Sequence, residues 1–256
     1  MIRIKTEKEI ETLCEGGKHL AHILDTVSKK IVPGVSSLAL DRETRALIEE
    51  VGAKPAFLGY KPDGVTVPYP AALCVSVNKE IVHGIPSKDK IIKDGDIVTI
   101  DCGLNYKGLF TDMAITVVVG ETTEEIKKLI QTTKESLSLG IEKAVIGNKI
   151  GDVGFAISSH IKKNGFSVVE GLAGHGVGHA VHEDPYVPNE GRAGEGEKLV
   201  EGMVIAIEPM ASLGSKKIVG LGDQFTYETS DGSMSAHFEH TVAITKDGPV
   251  IITNLD

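Results

Sequence analysis

The sequence predicts an α+β fold made of two similar halves, related by a pseudo-twofold axis. Helix-like and strand-like segments recur in both halves, and one pattern occurs twice. Residues 94–101, DGDIVTID, align with residues 201–208, EGMVIAIE, so that in each copy an acid and a glycine precede an apolar strand ending in a carboxylate. Each copy has a histidine–glycine pair before it and a second acid after it, namely His83-Gly84 and Asp112 in the first half, and His175-Gly176 and Glu239 in the second. Such a repeat indicates a site where the two halves meet.

Two helices are predicted at the start of the chain. Thr6 and Glu9 have the spacing of a capping box, and apolar residues follow at helical intervals to about Lys30. Pro33-Gly34 breaks this pattern, and a second helix ends near Gly52.

Two more helices are predicted between the two copies of the repeat. Thr122 and Glu125 again have capping-box spacing, before a helix that reaches about Val145. Residues 151–164 form the next, which Gly165 ends. From Lys198 onward the sequence is strand-like, and no low-complexity linker divides it, so residues 1–256 are expected to form a single domain.

The composition argues against several kinds of partner. The chain has 36 acidic and 27 basic residues and a formal charge of -9, without the clustered basic face that nucleic acids or anionic membranes require. No apolar run approaches the roughly 20 residues of a membrane span, and charged residues occupy the start where a signal peptide has its apolar core. A cytoplasmic protein is expected. Three cysteines, Cys14, Cys74 and Cys102, are interpreted as reduced thiols.

Asp101 and Asp112 lie on either side of a predicted hairpin turn. With Tyr106 and Lys107 as the central turn residues, the ladder places Asp101 directly opposite Asp112. Two carboxylates facing each other at about 5 Å repel unless a cation lies between them. An isolated pair of aspartates is more often solvated, but Asp101 ends the strand-like run 97–100, IVTI, which is typical of a buried strand.

The acids that end or interrupt apolar strands in both halves form one candidate site. They are Asp101, Asp112, Glu208 and Glu239, together with a histidine from the glycine-rich segment around His175. Burying four carboxylates without compensation costs several kcal/mol per ion, whereas two divalent cations would balance four charges. Oxygen donors with one imidazole suit Mn, Fe, Co or Zn. Metal ions about 3.5–4 Å apart can activate a bridging hydroxide and polarise a carbonyl, so hydrolysis of an amide is the expected reaction.

A zinc site on one helix face is the alternative for His175 and His179. Glycines at 174, 176 and 178 argue against a helix there, because each costs about 1 kcal/mol relative to alanine. His83 and His182 are the remaining histidines near these segments. A lone histidine is more often structural, but both adjoin segments already assigned to the site.

A loop at residues 55–70 is rich in glycine, proline and aromatic rings. Phe57, Tyr60 and Tyr69 make it either a packed lid over the core or one wall of an apolar pocket. The sequence leaves both open.

The motifs HGIP, TIDCG, FTD, GHGVGHAVHEDP, IEPM and SAHFEHT, in this order along nearly the whole chain, resemble those of type I methionine aminopeptidases, which have the pita-bread metallopeptidase fold. The resemblance implies a curved, mostly antiparallel sheet covered by helices and removal of the initiator methionine from nascent proteins whose second residue is small. It implies two divalent ions (Co, Mn, Fe or Zn), bridged by Asp112 and Glu239, with the ligands Asp101, Asp112, His175, Glu208 and Glu239.

The resemblance also implies roles for other residues. Glu208 would be the general acid/base, and His83 and His182 would contact substrate and the tetrahedral intermediate. The methionine pocket would comprise Tyr60, Tyr69, Cys74 and Phe225, with Phe57 and Val181 beside them. Three departures affect this pocket: an insertion at residues 61–67, Phe57 where a cysteine is expected, and Val181 where a larger side chain is common.

This fold allows two rival functions. A proline-specific peptidase is expected to carry a large extra N-terminal domain, for which no room is seen before the opening helices. A non-catalytic binding protein is expected to have lost a metal ligand, and all five are present. The implied partners are the N-termini of nascent polypeptides, with the ribosome as a candidate contact, and neither nucleic acid nor a membrane. A monomer meets every requirement of the sequence.

Overall fold

The computed structural model describes residues 2–255. Its helices are α1 (Glu7–Ser28), α2 (Ser37–Glu50), α3 (Glu124–Lys143) and α4 (Ile150–Lys163). Its strands are β1 (Lys54–Pro55), β2 (Cys74–Val77), β3 (Glu80–Val82), β4 (Ile97–Tyr106), β5 (Leu109–Val118), β6 (Ser167–Val168), β7 (Ala173–Gly176), β8 (Glu183–Pro188), β9 (Val204–Ile207), β10 (Met210–Ser212), β11 (Ile218–Gly220), β12 (Tyr227–Thr229), β13 (Ser235–His237), β14 (Glu239–Thr245) and β15 (Gly248–Ile251).

The helix predictions are confirmed, with one correction at a cap. The Thr6 hydroxyl accepts from the Glu9 amide, and the Glu9 carboxylate accepts from the Thr6 amide, so the predicted capping box at α1 is present. At α3 the capping residue is Thr123, not Thr122: its hydroxyl accepts from the Ile126 amide. A start at residue 124 puts two glutamates in the first helical turn, where the helix dipole favours negative charge.

Antiparallel strands from both halves form one large sheet. Within the described residues it has nine strands, with β1-β4-β5-β14-β9-β7-β8 as its main order, while β2 pairs with β4 and β15 with β14. The halves join where β5 meets β14, through the pairs Ala114–Glu239 and Met113–His240. Two three-stranded sheets, β13-β10-β6 and β11-β12-β3, flank it.

Each half of the sheet has its own helix pair and its own apolar core. In the first half, Leu20 and Leu24 of α1 pack with Val98 of β4. In the second, Leu129 of α3 and Ile157 of α4 pack with the β9 strand. Helices therefore cover the sheet, and α1 also reaches the second half, where Leu13 packs with Val204 and Ala243. Among residues 2–255, no helix is both long and apolar enough to cross a bilayer.

The repeat seen in the sequence is also present in the backbone. Gly95 and Gly202, equivalent in the alignment, have φ values of 84° and 82° and precede β4 and β9. A left-handed conformation favours glycine, because a side chain is strained there. The two halves therefore enter their equivalent strands through the same turn.

Candidate active site

The β4–β5 hairpin brings Asp101 and Asp112 together, but in a different register from the predicted one. Asp112 pairs with Gly103 and Asp101 with Ala114, so the aspartates are diagonal neighbours on one face and do not face each other directly. The predicted turn lies one residue too early in the chain. The central turn residues are Lys107 and Gly108, with φ values of 52° and 88°, so the residue opposite Asp101 is Ala114 and not Asp112. A tight hairpin turn of this kind needs positive φ at both central residues, which favours a glycine there.

The second half extends the same row of side chains. Glu239 at the start of β14 pairs with Ala114, on the opposite side of Ala114 from Asp101. His240 pairs with Ile207, so Glu208 follows directly after the paired part of β9, beside Glu239. Directly paired residues share a face of the sheet, and the small Ala114 side chain leaves room between the two carboxylates.

His175 completes the cluster from β7. Ligand atoms of Asp112, His175 and Glu239 all lie within 4.8 Å of one another. His175 Nε2 is 3.6 Å from Glu208 Oε1 and 4.0 Å from Asp112 Oδ2. Its Nδ1 lies 2.8 Å from the Gly176 carbonyl oxygen, which can only accept, so Nδ1 carries the proton and Nε2 keeps its lone pair. The structure therefore brings all five predicted ligand residues into one cavity.

The cluster is electrostatically incomplete without a cation. Asp101, Asp112 and Glu239 are no more than 6% exposed, and burial, with repulsion among neighbouring acids, raises the pKa of Asp112, Glu208 and Glu239 well above the usual range. Burial raises the pKa of Asp101 to about 7. In the described part of the chain, the salt-bridge partners of these acids are histidines, with no lysine or arginine.

Two carboxylate oxygens in this cluster lack any hydrogen-bond partner among the described residues, Asp101 Oδ1 and Glu239 Oε1. Buried polar atoms are normally satisfied, and an unpaired one costs about 1–3 kcal/mol. Orphaned oxygens in an oxygen-rich cluster fit bound divalent metal, whose preferred ligands are of this type.

His83 and His182 also line this cavity, as predicted. His182 Nδ1 is 2.7 Å from the Tyr60 hydroxyl, and its ring centroid is 4.3 Å from that of His175. Burial, with the nearby histidines, lowers the pKa of His182 to about 3, so its imidazole is neutral at pH 7. Burial also lowers the pKa of His83, whose ring contacts that of Tyr227 edge-on.

Comparison with known proteins identifies the family. The model of metallopeptidase family M24 matches residues 11–246. The chain belongs to metallopeptidase family M24. Within the family it belongs with the methionine aminopeptidases: it is 49% identical to that of Aquifex aeolicus over 99% of both chains, and 41% identical to methionine aminopeptidase 1 of Bacillus subtilis over the full length of both.

Solved structures agree with this assignment and with the predicted pita-bread fold. Methionine aminopeptidase from Thermotoga maritima superposes with a TM-score of 0.95 at 44% identity, with 100% of both chains covered. Prolidase from Pyrococcus furiosus has a TM-score of 0.77 at 25% identity, with 99% of this chain and 66% of that chain covered. The proline-specific alternative is therefore only a distant relative in fold.

The aromatic loop forms a pocket wall in this M24 chain. Phe57, Tyr60 and Tyr69 line a cavity of about 160 Å³ that also contains the acids and histidines. The cavity is completed by Cys74 and by Phe225, whose ring meets Tyr69 edge-on at 5.1 Å. All four predicted pocket residues therefore lie in the cavity.

All three departures from the family pattern lie at this pocket, and Phe57 lines it directly. Val181 packs in the same apolar cluster as the pocket rings. In the insertion, the Thr66 amide and hydroxyl both donate to Gln224 Oε1 at 2.9 Å, next to Phe225. The insertion thus joins the two walls of the pocket, which come from different halves of the chain.

The alternative helical zinc site is absent from the described residues. His175 lies in a strand, and the ring of His179 is 2.7 Å from Glu9 Oε1 at the start of α1. His179 therefore connects the glycine-rich segment to the first helix.

The sequence interpretation missed His237, on β13. It is 1% exposed, and its Nε2 lies 3.6 Å from Glu208 Oε2. Burial, with the nearby His83, lowers the pKa of His237 to about 3. Its position two residues before Glu239 could have suggested it, but strand periodicity there is interrupted at Phe238, between β13 and β14.

Proposed function

We propose that this M24 chain is a single-domain cytoplasmic methionyl aminopeptidase, which removes the initiator methionine from nascent proteins with a small second residue. The observation that carries the proposal is the shared cavity: a charged cluster that requires cations adjoins a pocket of aromatic rings. The relatives of the full chain, named methionine aminopeptidases, support the substrate. The nascent chain is the proposed partner, at the ribosome, and the proposed active form is a monomer.

The proposed metal centre has two divalent ions. Their charges balance four carboxylates, and the orphaned oxygens of Asp101 and Glu239 acquire partners. The donor set suits Co, Mn, Fe or Zn. The residues that would hold these ions are Asp101, Asp112, His175, Glu208 and Glu239. When bound, such metal supplies Lewis acidity, polarising the scissile carbonyl and lowering the pKa of water.

Glu208 is the proposed general acid/base. Its carboxylate takes a proton from the water that attacks the methionine carbonyl carbon, and returns it to the nitrogen of the leaving chain as the C–N bond breaks. The two proton transfers balance, since hydrolysis adds one hydroxyl to the methionine and one hydrogen to the new amine.

His182 and His83 are the proposed contacts to substrate and tetrahedral intermediate. His182 Nδ1 lies 2.7 Å from the Tyr60 hydroxyl. In the proposed arrangement this hydroxyl donates to Nδ1, which leaves Nε2 as the N–H donor of the neutral ring. A preoriented donor stabilises negative charge as it develops on the carbonyl oxygen. Tyr60 thus both lines the pocket and selects the tautomer of His182.

The proposed methionine pocket consists of Tyr60, Tyr69, Cys74 and Phe225, with Phe57 and Val181 beside it. Thioether sulfur makes favourable contacts with aromatic rings, and the unbranched methionine side chain adapts to irregular apolar space. The bond between the Thr66 segment and Gln224 fixes the separation of the two walls.

The test compares peptides and metals in one assay. Protein stripped by a chelator is reloaded separately with Mn²⁺, Fe²⁺, Co²⁺ or Zn²⁺, bound metal is counted, and Met-Ala-Ser, Leu-Ala-Ser and Ala-Pro are offered. We expect two ions per chain and methionine release from Met-Ala-Ser with at least one metal. Preferential cleavage of Ala-Pro, or no cleavage with any metal, would contradict the proposal.

A further inference from the structure

His237 lies beside Glu208 but is not one of the proposed metal ligands. The two oxygens of the Glu208 carboxyl each face an imidazole: His175 Nε2 is 3.6 Å from Oε1, and His237 Nε2 is 3.6 Å from Oε2. His175 lines the cavity together with Glu208. His237 is 1% exposed and approaches the other carboxylate oxygen, so its position suits it to orient Glu208 and not to bind substrate.

The backbone of His237 is fixed from the other half of the molecule. The Thr116 hydroxyl on β5 accepts from the His237 amide at 3.0 Å and donates to the His237 carbonyl at 2.7 Å. Thr99 on β4 bonds the same hydroxyl at 2.8 Å. Pairing with Met210 holds the other edge of β13. The ring therefore projects from a backbone with little freedom to move away from Glu208.

The His237 ring itself has no hydrogen bond. Among the described residues, neither Nδ1 nor Nε2 has a hydrogen-bond partner, although both are buried. An unpaired buried donor costs about 1–3 kcal/mol, so such a group calls for an explanation. The salt-bridge partner of the ring is Glu208, reached through Nε2, and a neutral imidazole has one N–H to place.

We propose that His237 is a positioning residue, whose Nε2–H donates to Glu208 Oε2 in the metal-loaded protein. This inference rests on the proposed function of Glu208. A carboxylate that is both ligand and proton carrier has to keep one orientation through the reaction, and a donor on one oxygen supplies it. Outer hydrogen bonds of this kind commonly contribute about 10- to 100-fold to activity or metal affinity.

Three substitutions distinguish the effect of losing the N–H donor from the effect of losing the volume of the ring. His237→Gln keeps an N–H donor at a similar distance from the backbone, His237→Asn has a donor that is too short, and His237→Leu has none. We expect kcat on Met-Ala-Ser to fall about 10- to 100-fold in the Leu and Asn variants and less than about threefold in the Gln variant, with KM changed by less than twofold.

The matched control is a half-buried histidine, His240, which faces away from Glu239 on the next position of β14 and lies 3.0 Å from Thr253 Oγ1. His240→Leu should keep kcat within about twofold of wild type if loss of an imidazole beside the cluster is by itself harmless. Equal kcat in His237→Leu and wild type, or loss in His237→Gln equal to that in His237→Leu, would overturn the proposal.

A measurement on the wild-type protein covers the case in which the variants fail to fold. Nitrogen-15 NMR of the protein loaded with diamagnetic Zn²⁺ reports the histidine tautomers, and we expect an Nε2–H tautomer for His237. A proton on Nδ1, or the shift of a metal-bound Nε2, would overturn the inference. If the wild-type protein cleaves no methionyl peptide, the proposed function fails, while this tautomer still decides whether His237 holds Glu208.

Discussion

The two halves of this M24 chain supply equivalent acids by different routes. In the first half, Asp101 and Asp112 belong to one hairpin closed by a two-residue turn. In the second, Glu208 and Glu239 are separated by an excursion that contains β10 to β13. That excursion crosses to the first half, where Tyr227 pairs with Val82 beside His83.

The difference shows which part of the chain forms the aromatic pocket. A direct hairpin can supply ligand residues but few pocket residues, since every second side chain points into the core and not towards the site. The longer connection brings Phe225 to face Tyr69, and places His237 against Glu208. Duplication therefore accounts for the acid cluster. The longer connection between Glu208 and Glu239, which the first half lacks, accounts for part of the pocket.

The largest expected effect tests whether the two routes give equivalent ligands. Asp112→Asn and Glu239→Gln each remove one charge from the cluster, and both should lower metal content and kcat/KM together, by at least about 100-fold in activity. Metal analysis and peptide hydrolysis measure the two quantities. The exposed Asp89→Asn serves as control, and a fully metallated, fully active variant in either half would contradict the equivalence.

Substitutions of the site histidines should have two different effects on metal content, whereas substitutions of the acids should all lower it. His175→Ala should lose metal, because His175 is a proposed ligand, whereas His83→Ala and His182→Ala should keep it and lose about 100-fold in kcat through the lost oxyanion contact. Metal content measured beside kcat separates the two classes. Unchanged turnover in His182→Ala would make that residue structural.

Removing metal should make stability depend on pH in a defined window. A carboxyl with a raised pKa in the folded state stabilises that state less as pH rises and the proton is lost, as for Asp101 near pH 7. His175, His182 and His237 have lowered pKa values, and their opposite contribution fades once the pH exceeds the unfolded pKa of about 6.5. Above pH 6.5 the free energy of unfolding in chelator should therefore fall, by up to about 1.4 kcal/mol per pH unit for each carboxyl that is protonated in the folded state and ionised in the unfolded state. The contribution of Asp101 to this slope ends above its pKa of about 7, and Asp112, Glu208 and Glu239, whose pKa values are raised well above the usual range, carry the slope to higher pH.

Urea unfolding at three pH values, with chelator and with metal, measures this slope. Bound metal should remove it, since the carboxylates are then ionised throughout, and Asp101→Asn should reduce it in chelator. Equal slopes with and without metal would contradict the electrostatic account of the cluster.

A smaller effect is expected at the contact that joins the halves. The Thr241 hydroxyl, on β14, accepts from the Asp112 amide and donates to the Asp112 carbonyl, both at 2.8 Å. Thr241→Val leaves these groups unpaired and should lower the free energy of unfolding by about 1–3 kcal/mol. Thr241→Ser keeps the hydroxyl and should lose less than half as much in the same urea titration. Equal losses of stability in the Val and Ser variants would show that packing, and not the hydroxyl's hydrogen bonds, causes the effect.

The smallest effect compares one turn from each half. Gly108 and Gly248 have φ values of 88° and 115°, with open space around the position of a side chain. Alanine at either position should cost about 1 kcal/mol of stability through backbone strain alone, with kcat unchanged. A loss of activity in Gly108→Ala but not in Gly248→Ala would show that the hairpin turn sets the spacing of Asp101 and Asp112.

Local patterns predicted much of the fold, and they failed where more than one local solution existed. The capping box of Thr6 and Glu9 was predicted because each of its bonds joins residues three apart. The register of the hairpin was not, because it depends on whether Gly108 is a central or a flanking turn residue. Thr122 and Thr123 were equally available as caps for α3, and the structure uses Thr123.

By itself the sequence determined the residues that meet at the junction: the repeat placed an acid at the end of each equivalent strand, and alternation fixed the face on which it lies. Only the tertiary structure decided what surrounds them. Several contacts around the acids join segments that are far apart in the chain, namely Thr66 with Gln224, Tyr60 with His182, and His237 with Glu208. No periodicity encodes such contacts, since they depend on how loops and strands distant in the chain pack in three dimensions.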